Sequence, residues 1–103
     1  MVRHPPGDHD RHPSIQQPID PAAWAAVVRE FALSPQQACV VELVLQGKRD
    51  KEIANAMSIG MGTVRTHLSR VFLRTGARDR VELVVRVFAA IERLRSDSGR
   101  QQS

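Results

Sequence analysis

Two short helical segments joined by a glycine-containing turn constrain the fold of this chain most strongly. The first segment, "KEIANAM", carries Ile53, Ala54 and Met57 at the spacing of one helix face. The turn reads "SIGMG". The second segment, "TVRTHLSR", has a basic polar face without any acid. Two helices joined by so tight a turn, the second of them basic, predict a helix-turn-helix.

The apolar residues predict how these two helices pack. Ala54 at the crossing point permits a close approach, and a wedge that fixes the angle is expected from Ile53, Met57, Ile59, Val64 and Leu68. The second helix, from residue 61 to about 75, then turns its polar face outward. A major groove about 12 Å wide admits one α-helix, and its first turns lie nearest the bases. We therefore expect Arg65, Thr66 and Ser69 to contact base edges.

Positive charge is concentrated around this motif. The chain carries 15 Lys and Arg against 11 Asp and Glu, a net charge of +4. Between Lys48 and Arg80 there are eight bases and three acids, a local net charge of +5. Because DNA binding draws on contacts between basic side chains and DNA phosphates, this distribution favours double-stranded DNA as a partner.

Helix-capping signals divide the chain into helices and predict an all-α fold. The expected N-caps are Asp20, Ser34, Asp50, Gly60 and Asp79, and the expected stops are Gly47 and Gly76. This gives a disordered tail over 1–19, an amphipathic helix over 20–32, a DNA-binding domain over 33–95 and a disordered tail over 96–103. Histidines in the first tail show no spacing that fixes a metal geometry, so no metal site is predicted there.

The last helix has an apolar face that is wide for a small domain. We expect part of it to remain exposed in a monomer and to form a homodimer interface, made of Val84, Val87, Phe88 and Ile91. The alternative is that the N-terminal helix, which contains Trp24, folds back over this face and leaves a monomer.

Residues 33 to about 94 resemble the LuxR-type, or GerE-type, helix-turn-helix domain. The most specific parts are "KEIA" at 51–54, "TVRTHLSRVF" at 63–72 and "TGARDRVELV" at 75–84. The resemblance implies four helices, here preceded by one extra N-terminal helix. The third would lie in the major groove, and the fourth often forms the dimer contact. Many such proteins carry a receiver or ligand-binding domain that does not fit before Leu33, so we expect a small stand-alone or partner-controlled regulator.

The resemblance also implies roles for individual residues. Arg65, Thr66 and Ser69 match base-reading positions. The positions expected to touch or lie near phosphate are Lys51, Thr63, His67, Arg70 and Arg74.

The sequence departs from the family pattern at the starts of three helices. Gln36 and Gln37 replace a usual Arg-Glu pair, which removes a common ion-pairing glutamate. Gly60 replaces a serine cap. Asp50 replaces an asparagine and adds a negative charge near the expected DNA surface.

Other function classes remain to be compared. A sigma-factor region 4 would bind promoter DNA together with RNA polymerase, but residues 75–94 supply a fourth helix where such regions typically end. A protein-binding adaptor or anti-activator could keep the fold and use a regulatory protein partner. An enzyme is not expected, because no nucleophile, base or carboxylate set has a suitable spacing. We expect no cofactor, no membrane span and a cytoplasmic, nucleoid-associated location.

Overall fold

Five helices make up the part of the chain that the computed structural model describes, residues 19–101, with side chains through residue 96. They are α1 (Pro21–Glu30), α2 (Pro35–Leu45), α3 (Asp50–Met57), α4 (Met61–Thr75) and α5 (Arg80–Gln101). No strand occurs within this range, so the predicted all-α class is confirmed. The N-terminal tail and its histidines lie outside the described residues.

The starts of α1 and α2 follow the predicted capping signals. The Asp20 carboxylate accepts a hydrogen bond from the Ala23 amide at 3.1 Å. Ser34 and Gln37 form the expected capping box: the Gln37 amide donates to Ser34 Oγ at 3.1 Å, and the Ser34 amide donates to Gln37 Oε1 at 3.0 Å. These side chains satisfy amides that have no partner inside the helix.

Helix α3 begins differently from the prediction. Arg49 occupies the N-cap position, and its amide donates to Glu52 Oε1 at 2.8 Å. Asp50 is the first residue of the helix, and the prediction that it is the N-cap is wrong. Its carboxylate instead contacts an arginine 30 residues along the chain. The Asp50 side chain therefore serves a tertiary contact.

The helices end where the backbone enters the left-handed region. Gly47 (φ 82°) and Gly76 (φ 76°) stop α2 and α4 as predicted, because glycine adopts this conformation without steric cost. Ser58 (φ 57°) ends α3. The Ile59 amide then donates to the Ala54 carbonyl at 3.0 Å, which closes the turn between α3 and α4.

The predicted wedge forms the centre of the motif. Ile53, Ala54, Val64 and Leu68 are buried, and Met57 and Ile59 pack half-buried at the edge. Helix α4 packs against both α2 and α3, so its inner face is fixed on two sides. The packing leaves the opposite face of α4 in solvent.

Helix α1 covers the apolar face of α5. Val84, Val87 and Ile91 are 9%, 0% and 7% exposed, so the expectation that they stay exposed is wrong. The cause is the packing of α1 along α5, with Val27 fully buried and an ion pair between Glu30 and Arg93. This is the arrangement that the sequence left open as an alternative.

Helix α5 nevertheless keeps an apolar stripe in solvent. Val81 and Val85 are more than half exposed, and Phe88 is 49% exposed. These three residues, separated by four and three positions, share one face of the helix. The helix itself continues to Gln101, past residue 95 at which the sequence predicts the domain to end, because no proline interrupts it.

Candidate nucleic-acid interface

The outer face of α4 carries the three residues expected to read bases. Arg65, Thr66 and Ser69 are all exposed, within the first two and a half turns of the helix. The Thr66 hydroxyl donates to the Gly62 carbonyl at 3.1 Å, and its oxygen keeps the capacity to accept a hydrogen bond. Local sequence builds this surface: buried Val64 and Leu68 fix the rotation of α4, which leaves Arg65, Thr66 and Ser69 exposed on its other side.

The expected phosphate-contacting residues lie around this surface. Lys51, Thr63, Arg70 and Arg74 are exposed. His67 differs, because it is half-buried, and its Nδ1 atom is buried without a hydrogen-bond partner among the described residues. On that packing, only the Nε2 edge of His67 is left for a contact with solvent or a ligand.

The arginines of α4 and α5 differ in whether they pair with acidic side chains. Among the side chains that the structure describes, residues 19–96, no acid pairs with Arg65, Arg70 or Arg74 of α4. On α5, by contrast, ion pairs form for Arg78 at its entry and for Arg80, Arg86, Arg93 and Arg95. Of these two helices, α4 is therefore the one whose described arginines are available to an anion.

Glu82 illustrates how the charge near α5 is neutralised. The Arg78 backbone amide donates to Glu82 Oε1 at 2.7 Å, and this hydrogen bond, helped by the Arg78 and Arg86 charges, lowers the pKa of Glu82. The Glu82 carboxylate pairs with Arg78 and Arg86, at 3.5 and 3.7 Å. The basic segment from Lys48 to Arg80 thus contains arginines, such as Arg78, that already pair with an acidic side chain.

Sequence reasoning missed two features of this region. Arg80 binds Asp50 across 30 residues, a pairing with no local signal in the sequence. Leu73 lies 84% exposed on the outer side of α4, although its residue type predicts burial. A helical projection of α4 could have found Leu73, because it falls three positions after Arg70 and four after Ser69.

Other kinds of site have no support in the described residues. No group of three His, Cys, Asp or Glu side chains there could hold a metal ion. Across residues 19–101, no helix has the length and apolar character needed to cross a bilayer.

A buried wedge, a tight turn and an outward, unpaired basic helix define a helix-turn-helix protein. Residues 32–87 match the family described as bacterial regulatory proteins, luxR family. This match covers more than half of the chain, and the chain belongs to the LuxR family, as the resemblance predicted.

Several curated relatives share this domain. The chain is 39% identical over 54 residues to "Transcriptional regulatory protein DesR" of Bacillus subtilis, covering 52% of this chain and 27% of the relative. It is 41% identical over 62 residues to "C4-dicarboxylate transport transcriptional regulatory protein DctR" of Rhodobacter capsulatus, covering 60% and 32%. For "Response regulator Rre1" of a Synechocystis species, the values are 39% over 51 residues, 50% and 22%. The chain thus spans at most a third of these relatives' lengths. No solved structure matches the chain significantly.

Proposed function

We propose that this chain is a transcriptional regulator that binds double-stranded DNA sequence-specifically, with α4 in the major groove. The observation that carries the proposal is the contrast between two helices: the arginines of α4 have no acidic partner among the described side chains, whereas the described arginines of α5 pair with acids. A charged helix face that only contacts solvent can carry acidic residues as well as basic ones. A helix inserted between phosphate walls gains from their absence. The relatives' printed names, which are those of transcriptional regulators, support the same function.

Genome-wide mapping of the DNA bound by the chain tests this proposal. Cross-linking and sequencing in the native host should recover a limited set of fragments that share a sequence. The Arg65→Ala variant, expressed at the same level, is the matched control and should lose these fragments. An equal recovery of fragments by both proteins would contradict the assignment of α4. A sigma-like role would instead appear as co-purification with RNA polymerase and recovery of promoters only in its presence.

Arg70→Ala is expected to weaken binding to all DNA sequences alike. Arg70 is exposed and unpaired among the described residues, at a position assigned here to phosphate. Losing one phosphate contact should reduce the slope of log affinity against log salt by about 1. Titrations at several salt concentrations measure this slope. Arg95→Ala, which removes the same charge from α5, is the control and should change the slope less. A loss confined to one sequence would assign Arg70 to base reading instead.

We further propose that two chains associate through the exposed stripe Val81, Val85 and Phe88. Val84, Val87 and Ile91, expected from sequence in this interface, belong to the core beneath α1 instead. An exposed apolar stripe of this kind marks a contact surface. A two-fold dimer would place two α4 helices about 34 Å apart on one face of DNA and favour a near-palindromic site.

Val85→Glu is expected to change the stoichiometry on DNA from two chains to one. Val85 is 59% exposed, so the substitution adds a charge to the stripe without entering the core. Sedimentation of the protein with a palindromic site measures the change. Gln36→Glu adds the same charge at an exposed position of α2 and should leave two chains bound. If the original protein and the Val85→Glu variant both bound as one chain per site, the dimer would be contradicted.

A further inference from the structure

Asp50 places an acid next to Lys51, a residue of the proposed DNA-binding surface. It is the first residue of α3 and directly precedes Lys51, which is assigned to phosphate. A free carboxylate there would repel the DNA backbone. The structure instead joins it to Arg80, whose Nη1 and Nη2 atoms each donate to Asp50 Oδ1 at 3.1 Å. Arg80 Nη2 also donates to the Lys48 carbonyl at 3.3 Å.

Capping of the N-termini of α3 and α5 does not explain this contact. The amides at the start of α5 are capped by Asp79, whose carboxylate accepts from the Glu82 amide at 2.8 Å. Glu52 performs a similar role at the start of α3. A cation at the first residue of a helix also opposes the helix dipole. Arg80 is therefore in an unfavourable local position, and its tertiary contact compensates for that.

The contact joins two helices, α3 and α5, whose main packing partners differ. Helix α3 packs mainly on α4, whereas α5 packs mainly on α1. The Arg80 and Asp50 side chains are only 19% and 30% exposed, so solvent screens the pair incompletely. Through the Lys48 carbonyl and the Asp50 carboxylate, one guanidinium holds the loop before α3 and the first residue of α3 together.

We propose that Arg80 is a positioning residue for DNA binding. By holding Lys48 and Asp50 it fixes the first turn of α3, and so places Lys51 against a phosphate. The same pair cancels the charge of Asp50, so Lys51 presents an unopposed positive charge. This inference rests on the proposed function, because it concerns how the same protein surface binds DNA.

The sign of the effect at Asp50 separates this role from simple charge. If Asp50 only repelled phosphates, Asp50→Ala would tighten DNA binding. If it holds Arg80 in place, Asp50→Ala weakens binding. Arg80→Ala should weaken binding on the order of tenfold, and the double variant should be no weaker than Arg80→Ala, because both changes remove one interaction. Fluorescence anisotropy with a labelled duplex of a genomic site measures all four proteins. Tighter binding by Asp50→Ala would overturn the inference.

Two matched variants distinguish positioning from the loss of one charge. Arg78→Ala removes the same charge two residues before Arg80, at an arginine whose own side chain is 88% exposed, and it should change affinity much less than Arg80→Ala. Arg80→Lys keeps the charge but not the two-donor geometry, and it should still weaken binding. Equal affinities for Arg78→Ala and Arg80→Ala would overturn the inference, as would full binding by Arg80→Lys.

The salt dependence and a second cycle identify Lys51 as the residue that is positioned. Arg80→Ala should reduce the slope of log affinity against log salt by about 0.9, the value for one phosphate contact. In a Lys51→Ala background, Arg80→Ala should have no further effect beyond that of Arg78→Ala. A purely structural role would lower thermal stability and leave the slope unchanged. If the unmodified protein binds no DNA, the proposed function fails. If the unmodified protein binds DNA and the Arg80 variants bind with the same affinity, only the inference about Arg80 fails.

Discussion

Leu68→Ala is expected to lower the free energy of unfolding by about 2–5 kcal/mol, the usual cost of removing a buried leucine side chain. Leu68 is 7% exposed and lies one turn after Val64, which is fully buried, on the face of α4 that packs against α2 and α3. A small domain has only about 5–15 kcal/mol of stability. DNA binding by this variant should therefore fail at physiological temperature through unfolding, although no DNA-facing residue has changed.

The chain provides a closely matched control for this experiment. Leu73→Ala makes the same substitution in the same helix at a position that is 84% exposed. Its stability should remain within about 0.5 kcal/mol of the original protein. Urea or thermal unfolding followed by circular dichroism measures both variants. An equal loss in the two, or no loss in Leu68→Ala, would contradict the packing of α4.

Arg65→Ala is expected to weaken specific binding by about 1–3 kcal/mol and to relax the preference at one base pair. Arg65 is exposed in the second turn of α4 and has no acidic partner among the described residues. A free guanidinium there can donate two hydrogen bonds to guanine O6 and N7, the contact that arginine makes best. The loss should be largest on the preferred site and small on unrelated DNA.

Titrations against a site and its single-base-pair variants measure this preference. The original protein should discriminate at the base pair that Arg65 contacts, and Arg65→Ala should bind all four variants at that position almost equally. Arg70→Ala, with the same loss of charge, should keep the discrimination and bind every variant more weakly. Unchanged discrimination in Arg65→Ala would remove this residue from the base-reading surface.

Capping signals and helical periodicity in the sequence predict the parts of the structure that depend on residues close together in the chain. The capping box of Ser34 and Gln37, the glycine stops and the buried stripe of α4 all follow from residues within one or two turns of each other. Such interactions are readable because their spacing is fixed by the helix. The position of Arg65 on the outer face follows from the same periodicity.

Tertiary contacts account for what the sequence did not predict. Whether α1 covers α5 depends on the geometry of the connection, and both outcomes bury an apolar face. Asp50 has the sequence pattern of a helix cap, but Arg80 competes for its carboxylate and leaves the cap position to Arg49. The apolar pattern of α5 shows that its face is buried somewhere, whereas only the fold separates the core residue Val84 from the exposed residue Val85.

Selection of bound duplexes from a random DNA library by the purified chain tests whether α4 reads DNA bases. Protein and duplex DNA are the only components, so no partner can supply the specificity. We expect enrichment of one short sequence, arranged as two half-sites about 10 base pairs apart if two chains bind. It also predicts that Arg65→Ala loses preference at one position of each half-site. Retention of DNA without enrichment of any sequence, or no retention at all, would contradict the claim that α4 reads bases.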